Sequence, residues 1–441
     1  MRIYLSSLGC ARNRVDTELM IGRLVAAQQE IVYDPSRADV IVVNTCGFIK
    51  DAVQESIDTI IELAENKKTG LLKYLIVAGC LPERFKNDIV ESLPEVDAFI
   101  GTGAYDQVEA VIEDLDQKTA RKKALWPDPD QMDLQTCDTP RIRSTPHMAY
   151  VKIAEGCSSH CTYCIIPKLR GRHRSRSIAD IRKECERLID SGVKEIVLVA
   201  QESTFYGRDL TPETGLGALL ESLAGISPHV WIRVLYGHPA SMDDRIIHTI
   251  SAHENICAYF DLPLQHASAT VLKKMGRPYD PPFLRDLFSK IRTVIPDATL
   301  RTTLITGFPG ETEKDFRIVH DFINEIRFDH LGVFIYSDED DLPSHHLPRH
   351  VPKQTAKKRR TTLMTSQAKI SLEKNRKHLN KTVKVLVEKR GADGLYVGRT
   401  SFQAPEVDGE TIIRGEGLTI GDFASVTIRE VHDYDIVGEL T

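Results

Sequence analysis

Short apolar segments that end in a polar turn and lead into a helical pattern recur along most of this 441-residue chain. That alternation constrains the fold most. A strand followed by a crossover helix returns to the same sheet in the same direction, so repeated units build parallel sheets covered by helices. In the first 117 residues the unit occurs three times, on RIYLSSLGC, DVIVVNTC and YLIVAGC, and each strand closes on a cysteine. After the second, Asp51 opens a helix whose Val53, Ile57, Ile60, Ile61 and Ala64 share one face. The expectation is an open parallel α/β sheet with Cys10, Cys46 and Cys80 at the carboxyl ends of adjacent strands, the edge where such sheets place ligands.

Residues 118–146 are rich in Pro, Asp and basic residues and read as a linker. A second series follows over 147–380, with strands on MAYVKIAEG, EIVLVAQ, WIRVLYG, YFDLPLQ, TLRTTLITGFP and HLGVFIYS, and helical segments such as 178–191 and 312–326 between them. Six units spaced about 30 to 45 residues apart predict a partial (β/α)6 barrel of TIM type, with chemistry at the carboxyl ends of its strands. Residues 353–380, with KKRR and KNRK, read as a basic connecting helix, and 381–441 as a small antiparallel β-barrel. The fold class is therefore multidomain α/β.

The opening MRIYLSSLGC has no signal-peptide core, and no run approaches the roughly 18 apolar residues that span a bilayer. A cytoplasmic protein without membrane contact is expected. In a reducing compartment, nine cysteines, an odd number, argue for metal or redox chemistry over disulfides.

The segment AEGCSSHCTYC places Cys157, Cys161 and Cys164 at C-x-x-x-C-x-x-C spacing just after a strand. Three thiolates on one tight loop suit an iron–sulfur cluster, and a 4Fe–4S cube held by three ligands keeps one iron open to substrate. A structural zinc site is the alternative. It needs four closed ligands, with His160 as the available fourth, but no second C-x-x-C occurs to form the usual paired knuckle. Cys10, Cys46 and Cys80, taken together, point to shared ligation, whereas Cys137, Cys185 and Cys257 have no such setting.

With Tyr163 before its last cysteine, this loop resembles that of the radical S-adenosylmethionine superfamily. SLGCARNRVDTE, VVNTCGFI and VAGCLPER, followed in order by KLRGRHRSR, LVAQESTFYG, LPLQHAS and TLITGFPGETE, extend the resemblance over the whole chain to the methylthiotransferases. That resemblance implies two 4Fe–4S clusters, one on Cys157, Cys161 and Cys164 and a second on Cys10, Cys46 and Cys80, with a C-terminal TRAM barrel. It implies two uses of S-adenosylmethionine, one to methylate sulfur at the second cluster and one to yield a 5′-deoxyadenosyl radical that abstracts hydrogen from an unactivated carbon. Such a carbon has no useful acidity, so no side-chain base is required. By the same resemblance Tyr163, Gln201, Glu202, Thr306, Gly307, Pro309 and Gly310 contact S-adenosylmethionine, and Gln265 and His266 lie toward the substrate. A reductant such as flavodoxin or ferredoxin is implied.

Two branches of the family differ in substrate. One modifies an adenosine of transfer RNA, the other an aspartate β-carbon of ribosomal protein uS12. Residues 1–117 carry 11 Lys/Arg against 20 Asp/Glu and residues 381–441 carry 7 against 11. An acidic C-terminal barrel suits a basic protein better than a phosphate backbone. SFQAPEVDG and LGCARNRVDTELM also resemble the protein-modifying branch. The run RGRHRSR reads either as an RNA grip or as an acid-paired loop beside the cluster. A non-catalytic, metal-stabilised RNA- or ribosome-binding factor is the reading from another class. Where the protein-modifying branch reads YSDEEGTPA, this chain reads YSDEDDLPSHHLP, taken as loop variation, and the solvated pair His345 and His346 is given no ligand role.

Overall fold

The computed structural model describes every residue except 69, 118–122 and 392–393. Six parallel strands, β1 (Arg2–Ser7), β2 (Glu30–Ile31), β3 (Val40–Thr45), β4 (Tyr74–Gly79), β5 (Ala98–Ile100) and β6 (Lys123–Leu125), form the first sheet in the order β2-β1-β3-β4-β5-β6. The helices α1 (Ala11–Ala26), α2 (Lys50–Ala64), α3 (Cys80–Phe85), α4 (Asn87–Ser92) and α5 (Val108–Asp116) connect them. The buried, β-branched runs VIVVNT and YLIVAG occupy the centre, as strands covered on both faces require. Strand order reverses between β1 and β3, which opens a crevice at their carboxyl ends. Residues 123–125, within the stretch read as a linker, instead add the sixth strand, while 118–122 lie outside the described residues. Three residues between prolines and charges carry too little pattern to read as a strand.

The second unit has six main parallel strands in two linked sheets. One, in the order β11-β10-β7, contains β7 (Met148–Lys152), β10 (Glu195–Val199) and β11 (Trp231–Val234). The other contains β12 (Tyr259–Asp261), β13 (Thr299–Thr306) and β14 (His330–Ile335). A bridge between Ile232 and Ile256 joins them. A two-residue pair, β8 (Ala154–Glu155) with β9 (Arg174–Ser175), brackets α6 (Ile166–Arg170). Helices α7 (Ile178–Asp190), α8 (Leu216–Ala224), α9 (Asp244–Ala252), α10 (Ala269–Lys274), α11 (Pro281–Val294) and α12 (Glu313–Ile326) follow in sequence. The barrel is open after β14, and α13 (Lys353–Asn375) covers that edge: Arg360 donates to the Val333 carbonyl at 3.0 Å and Gln367 to that of Phe328 at 2.8 Å.

The C-terminal strands β15 (Thr382–Arg390), β16 (Tyr396–Thr400), β17 (Thr411–Arg414), β18 (Phe423–Val431) and β19 (Ile436–Leu440) close a barrel in the order β15-β16-β17-β19-β18. Its pairs are antiparallel except β17 with β19, because an odd ring of strands cannot alternate direction all the way round. The half-open central barrel is filled from both sides. Tyr150, Val197, Val199, Trp231 and Tyr259 from its strands pack against Ala11 and Val15 of α1 and Leu386 and Ala404 of the C-terminal barrel. The SFQAPEVDG loop enters this lumen, where the Asp408 carboxylate accepts from Tyr259 Oη at 2.5 Å and pairs with Arg301 at 3.5 Å. Among the described residues no helix is long and apolar enough to cross a membrane.

Candidate active site

Three strand ends build the N-terminal triad. Cys10 is the N-cap of α1, Cys46 follows β3, and Cys80 begins α3 directly after β4. Gly9 sits at φ +89°, and a Cβ there would lie 2.8 Å from Cys46 Cβ, so the close approach of these turns needs glycine. Asn13 fixes the turns by donating to the carbonyls of Leu8 at 3.0 Å and Thr45 at 2.9 Å. Burial pushes the thiols of Cys46 and Cys80 up, Cys80 to about 11. Cys10 is opposite: burial opposes its ionisation, but Arg12, Arg170 and two backbone N–H groups outweigh it and hold the thiol below its ordinary value.

The second triad comes from one loop. Its Cys157 N–H donates to the Gly171 carbonyl at 3.0 Å, Cys164 N–H to that of Cys161 at 3.1 Å, and Thr162 N–H to that of Met275 at 3.1 Å. Burial raises Cys157, and raises Cys164 to about 12. Glu202 Oε2 lies 4.0 Å from Cys157 Sγ, and its two oxygens accept from Ser159 at 2.8 Å and Ser241 at 2.7 Å. His160 is exposed and stands outside the cavity. Closed zinc requires four ligands around one ion, and the radical loop brings only its three cysteines to the cavity, with His160 outside it. A cluster takes thiolates at wider spacing, because each binds a different iron.

Both triads line a single cavity of about 540 Å³, with Tyr163, Gln201, Glu202 and Gln265. Thr306, Gly307, Pro309 and Gly310 are not among its lining residues. Thr306 Oγ1 donates to the Ala356 carbonyl at 3.2 Å, the Gly307 N–H donates to Glu311, and the Gly310 N–H donates to the Arg349 carbonyl at 2.7 Å. His266 is likewise elsewhere, buried with its Nδ1 accepting from Ser268 N–H at 2.9 Å. An adjoining cavity of about 240 Å³ shares Phe48, Ile49, Tyr163, Gln265 and Phe334 and adds Thr303 and Ile305. The cavity also exposes residues that sequence reasoning missed. Arg277 lies 5.9 Å from the rings of both Tyr163 and Tyr279, and its Nε is buried without a partner; Gln201 Oε1 is unpartnered too. These two orphans face the cavity beside Cys161 and Cys164 and call for a ligand bearing both an anion and a donor. His238 accepts from Ala240 N–H through Nδ1 at 3.2 Å, and burial, reinforced by Arg277, pushes it down to about 4, so it stays neutral near pH 7. Gln265 and Tyr236 hold positive φ (70° and 62°) at the cavity wall, strain that non-glycine residues bear at functional sites.

The triads are tied together by a buried ion network. Lys152 bridges Asp16 and Glu155, at 2.6 Å each, and Arg170 pairs with Asp16 at 2.8 Å and donates to Asn13 Oδ1 at 2.5 Å. Burial opposes the charge of Glu155, yet Lys152 and Arg170 hold its carboxyl well below the usual range. Of the run RGRHRSR, Arg170 and Arg176 are buried against carboxylates and Arg174 donates to the carbonyls of Pro129, Asp130 and Met132; only Arg172 stands out in solvent. The acid-paired reading of the run therefore holds, and an RNA grip does not. The 336–348 segment is a strap rather than free variation. Arg84 donates to the Gly47 carbonyl at 2.9 Å and pairs with Glu339 at 2.9 Å and Asp341 at 2.5 Å, while Ser344 N–H donates to the Thr162 carbonyl at 3.0 Å. His345 pairs with Asp338 at 2.9 Å.

Three family descriptions match the chain: Uncharacterized protein family UPF0004 over residues 2–101, Radical SAM superfamily over 151–323 and TRAM domain over 381–441. Among solved structures, the radical S-adenosylmethionine methyltransferase TsrM from Kitasatospora setae superposes with a TM-score of 0.57 at 13% identity, covering 76% of this chain and 74% of that one. The cobalamin-dependent S-adenosylmethionine radical enzyme OxsB gives 0.53 at 13%, covering 84% and 56%. At that identity the likeness concerns the fold. Curated relatives named ribosomal protein uS12 methylthiotransferase RimO are 49% identical in Desulfosudis oleivorans, over 100% of both chains, and 46% in Clostridioides difficile, over 100% of this chain and 99% of the other. Full-length identity at this level, with all three units in order, means that the chain belongs to the RimO branch of the radical S-adenosylmethionine methylthiotransferases.

Proposed function

We propose that this protein transfers a methylthio group to the β-carbon of an aspartate in ribosomal protein uS12. The observation that carries the reading is the placement of two cysteine triads on one cavity. When bound, two 4Fe–4S clusters and S-adenosylmethionine supply the low-potential electron, the 5′-deoxyadenosyl radical and the methylated sulfur. The chain's own part is to bind, orient and exclude water. Cys157, Cys161 and Cys164 hold one cluster, and Cys10, Cys46 and Cys80 the other. Gln201 Oε1 and Glu202 accept from the methionine ammonium, and the unpartnered Arg277 Nε donates to its carboxylate. The apolar cavity beside Tyr163, lined by Ile305 and Phe334, takes the adenine in place of the Thr306–Gly310 turn. Neutral His238 offers no strong base, in keeping with a target hydrogen that no base needs to remove.

A surface groove of about 810 Å³ shares Ile49 and Phe334 with the cavity and carries Asp51, Val407, Tyr434 and Asp435 on its walls. Its exposed Phe334, Val407 and Tyr434 offer an apolar footing, its charged lining is mixed (Asp51, Asp408 and Asp435 with Arg301 and Arg360), and the barrel's 7 basic against 11 acidic residues support a basic protein segment as the substrate. The same reading expects a flavodoxin or ferredoxin as electron donor and the cytoplasm as the place of action. Mass spectrometry of uS12 and of transfer RNA nucleosides from a deletion strain tests it. The expected result is uS12 lacking one methylthio group with nucleosides unaltered; loss from a nucleoside with uS12 intact refutes it. Failure of the anaerobically reconstituted protein to cleave S-adenosylmethionine favours the non-catalytic factor.

A further inference from the structure

We infer that Arg12 and Arg170 set the field of the N-terminal triad, so that a cluster on Cys10, Cys46 and Cys80 is reduced at a higher potential than the same thiolates would give without them. The inference rests on the reading above that this triad holds a cluster. It concerns a charge asymmetry that ligation alone does not create.

Arg12 lies two residues after Cys10 and lines the cavity. Its Nη1 donates to the Ala200 carbonyl at 2.8 Å, and its guanidinium lies 4.3 Å from the Tyr236 ring centroid. A carbonyl and a ring fix it, and among the described residues no carboxylate pairs with it, so its positive charge stays uncompensated on the cavity that Cys10 lines. Arg170 acts by contact. Its Nη2 lies 3.6 Å from Cys80 Sγ, while Asp16 and Asn13 hold the rest of the guanidinium in place. Net charge and hydrogen bonds to sulfur are two of the levers that tune cluster potential; Asp16 at 2.8 Å and Glu155 at 3.6 Å offset the charge of Arg170, so Arg12 works the first lever and Arg170 the second, and both favour the reduced, more negative state. The interior setting strengthens each, since charge is weakly screened there. Across the cavity the charges are mixed: the Glu202 carboxylate lies 4.0 Å from Cys157 Sγ, and the Arg277 guanidinium faces Cys161 and Cys164.

The test is an anaerobic redox titration followed by electron paramagnetic resonance, on the full chain carrying Cys157, Cys161 and Cys164→Ala so that only the N-terminal cluster reports. Arg12→Gln is expected to shift the reduction equilibrium at least tenfold toward the oxidised form, which is about 59 mV for one electron. Arg170→Gln should move it the same way, and Arg12→Lys should restore most of the loss. In the reciprocal Cys10, Cys46 and Cys80→Ala background the radical-loop cluster should keep its potential in Arg12→Gln. An unchanged N-terminal potential, or equal shifts in both backgrounds, overturns the inference. If a Gln variant loses its cluster, the Lys variants decide: a cluster at the parent potential supports the inference, and loss with Lys as well assigns a purely structural role and overturns it. Absence of any cluster in the parent background refutes the proposed function instead.

Discussion

The two cysteine triads are assembled by opposite strategies. One is local: Cys157, Cys161 and Cys164 lie within eight residues, and hydrogen bonds from loop N–H groups to the Gly171 and Met275 carbonyls shape the loop. The other is topological, since Cys10, Cys46 and Cys80 are far apart in sequence and meet because three parallel strands end side by side. Their surroundings differ in the same measure. The N-terminal triad has two guanidinium groups, Arg12 and Arg170, beside its sulfurs, whereas the radical-loop triad has one of each sign, the Glu202 carboxylate at Cys157 and the Arg277 guanidinium toward Cys161 and Cys164.

The sharpest way to break this comparison is to remove one triad at a time. Replacing Cys157, Cys161 and Cys164 by alanine should abolish both S-adenosylmethionine cleavage and methylthio transfer. Replacing Cys10, Cys46 and Cys80 should abolish transfer alone, with 5′-deoxyadenosine still detected by chromatography. Equal loss of cleavage in both variants would show that the triads do not divide the work. Next in size is Arg170→Met, which leaves buried Asp16 and Glu155 sharing the single cation Lys152; a loss of about 3 kcal/mol is expected, read by denaturant unfolding. Arg277→Gln bears on the radical side alone and should weaken S-adenosylmethionine binding about 10- to 100-fold in calorimetry, the worth of one charge-assisted hydrogen bond. The smallest effect concerns pH. His238 titrates near 4 in the folded chain against 6.5 ordinarily, so the unfolded chain takes up its proton first as pH falls. Its contribution is complete above about 6.5 and is lost toward pH 4. The Tm advantage of the parent over His238→Gln should therefore shrink across that window.

Legibility in the sequence followed the same division. The spacing of Cys157, Cys161 and Cys164 suggested an iron–sulfur loop because the three cysteines and their scaffold are contiguous, and the radical chemistry came from the loop's resemblance to a known family. The N-terminal triad could be suspected only after strand–helix alternation put three cysteines at strand ends. Arg277 and His238 carried no local signal: each stands on its own turn, and only closure of the barrel aims it at Cys161 and Glu202. The Thr306–Gly310 turn lies off the lining of the main cavity: Gly307 and Gly310 hold positive φ, and a Cβ would meet Ala356 of α13 at the first and the Lys274 side chain at the second. Asp341 in the 336–348 strap looked like loop variation because its partner, Arg84, is 257 residues away.

The central claim is that the two triads hold separate clusters around one cavity. The most direct measurement is iron and sulfide content with electron paramagnetic resonance on the reconstituted parent chain and the two triple alanine variants. About eight irons in the parent, about four in each variant and two distinguishable signals are predicted. About four irons in the parent, or loss of both signals when either triad is removed, would contradict the account.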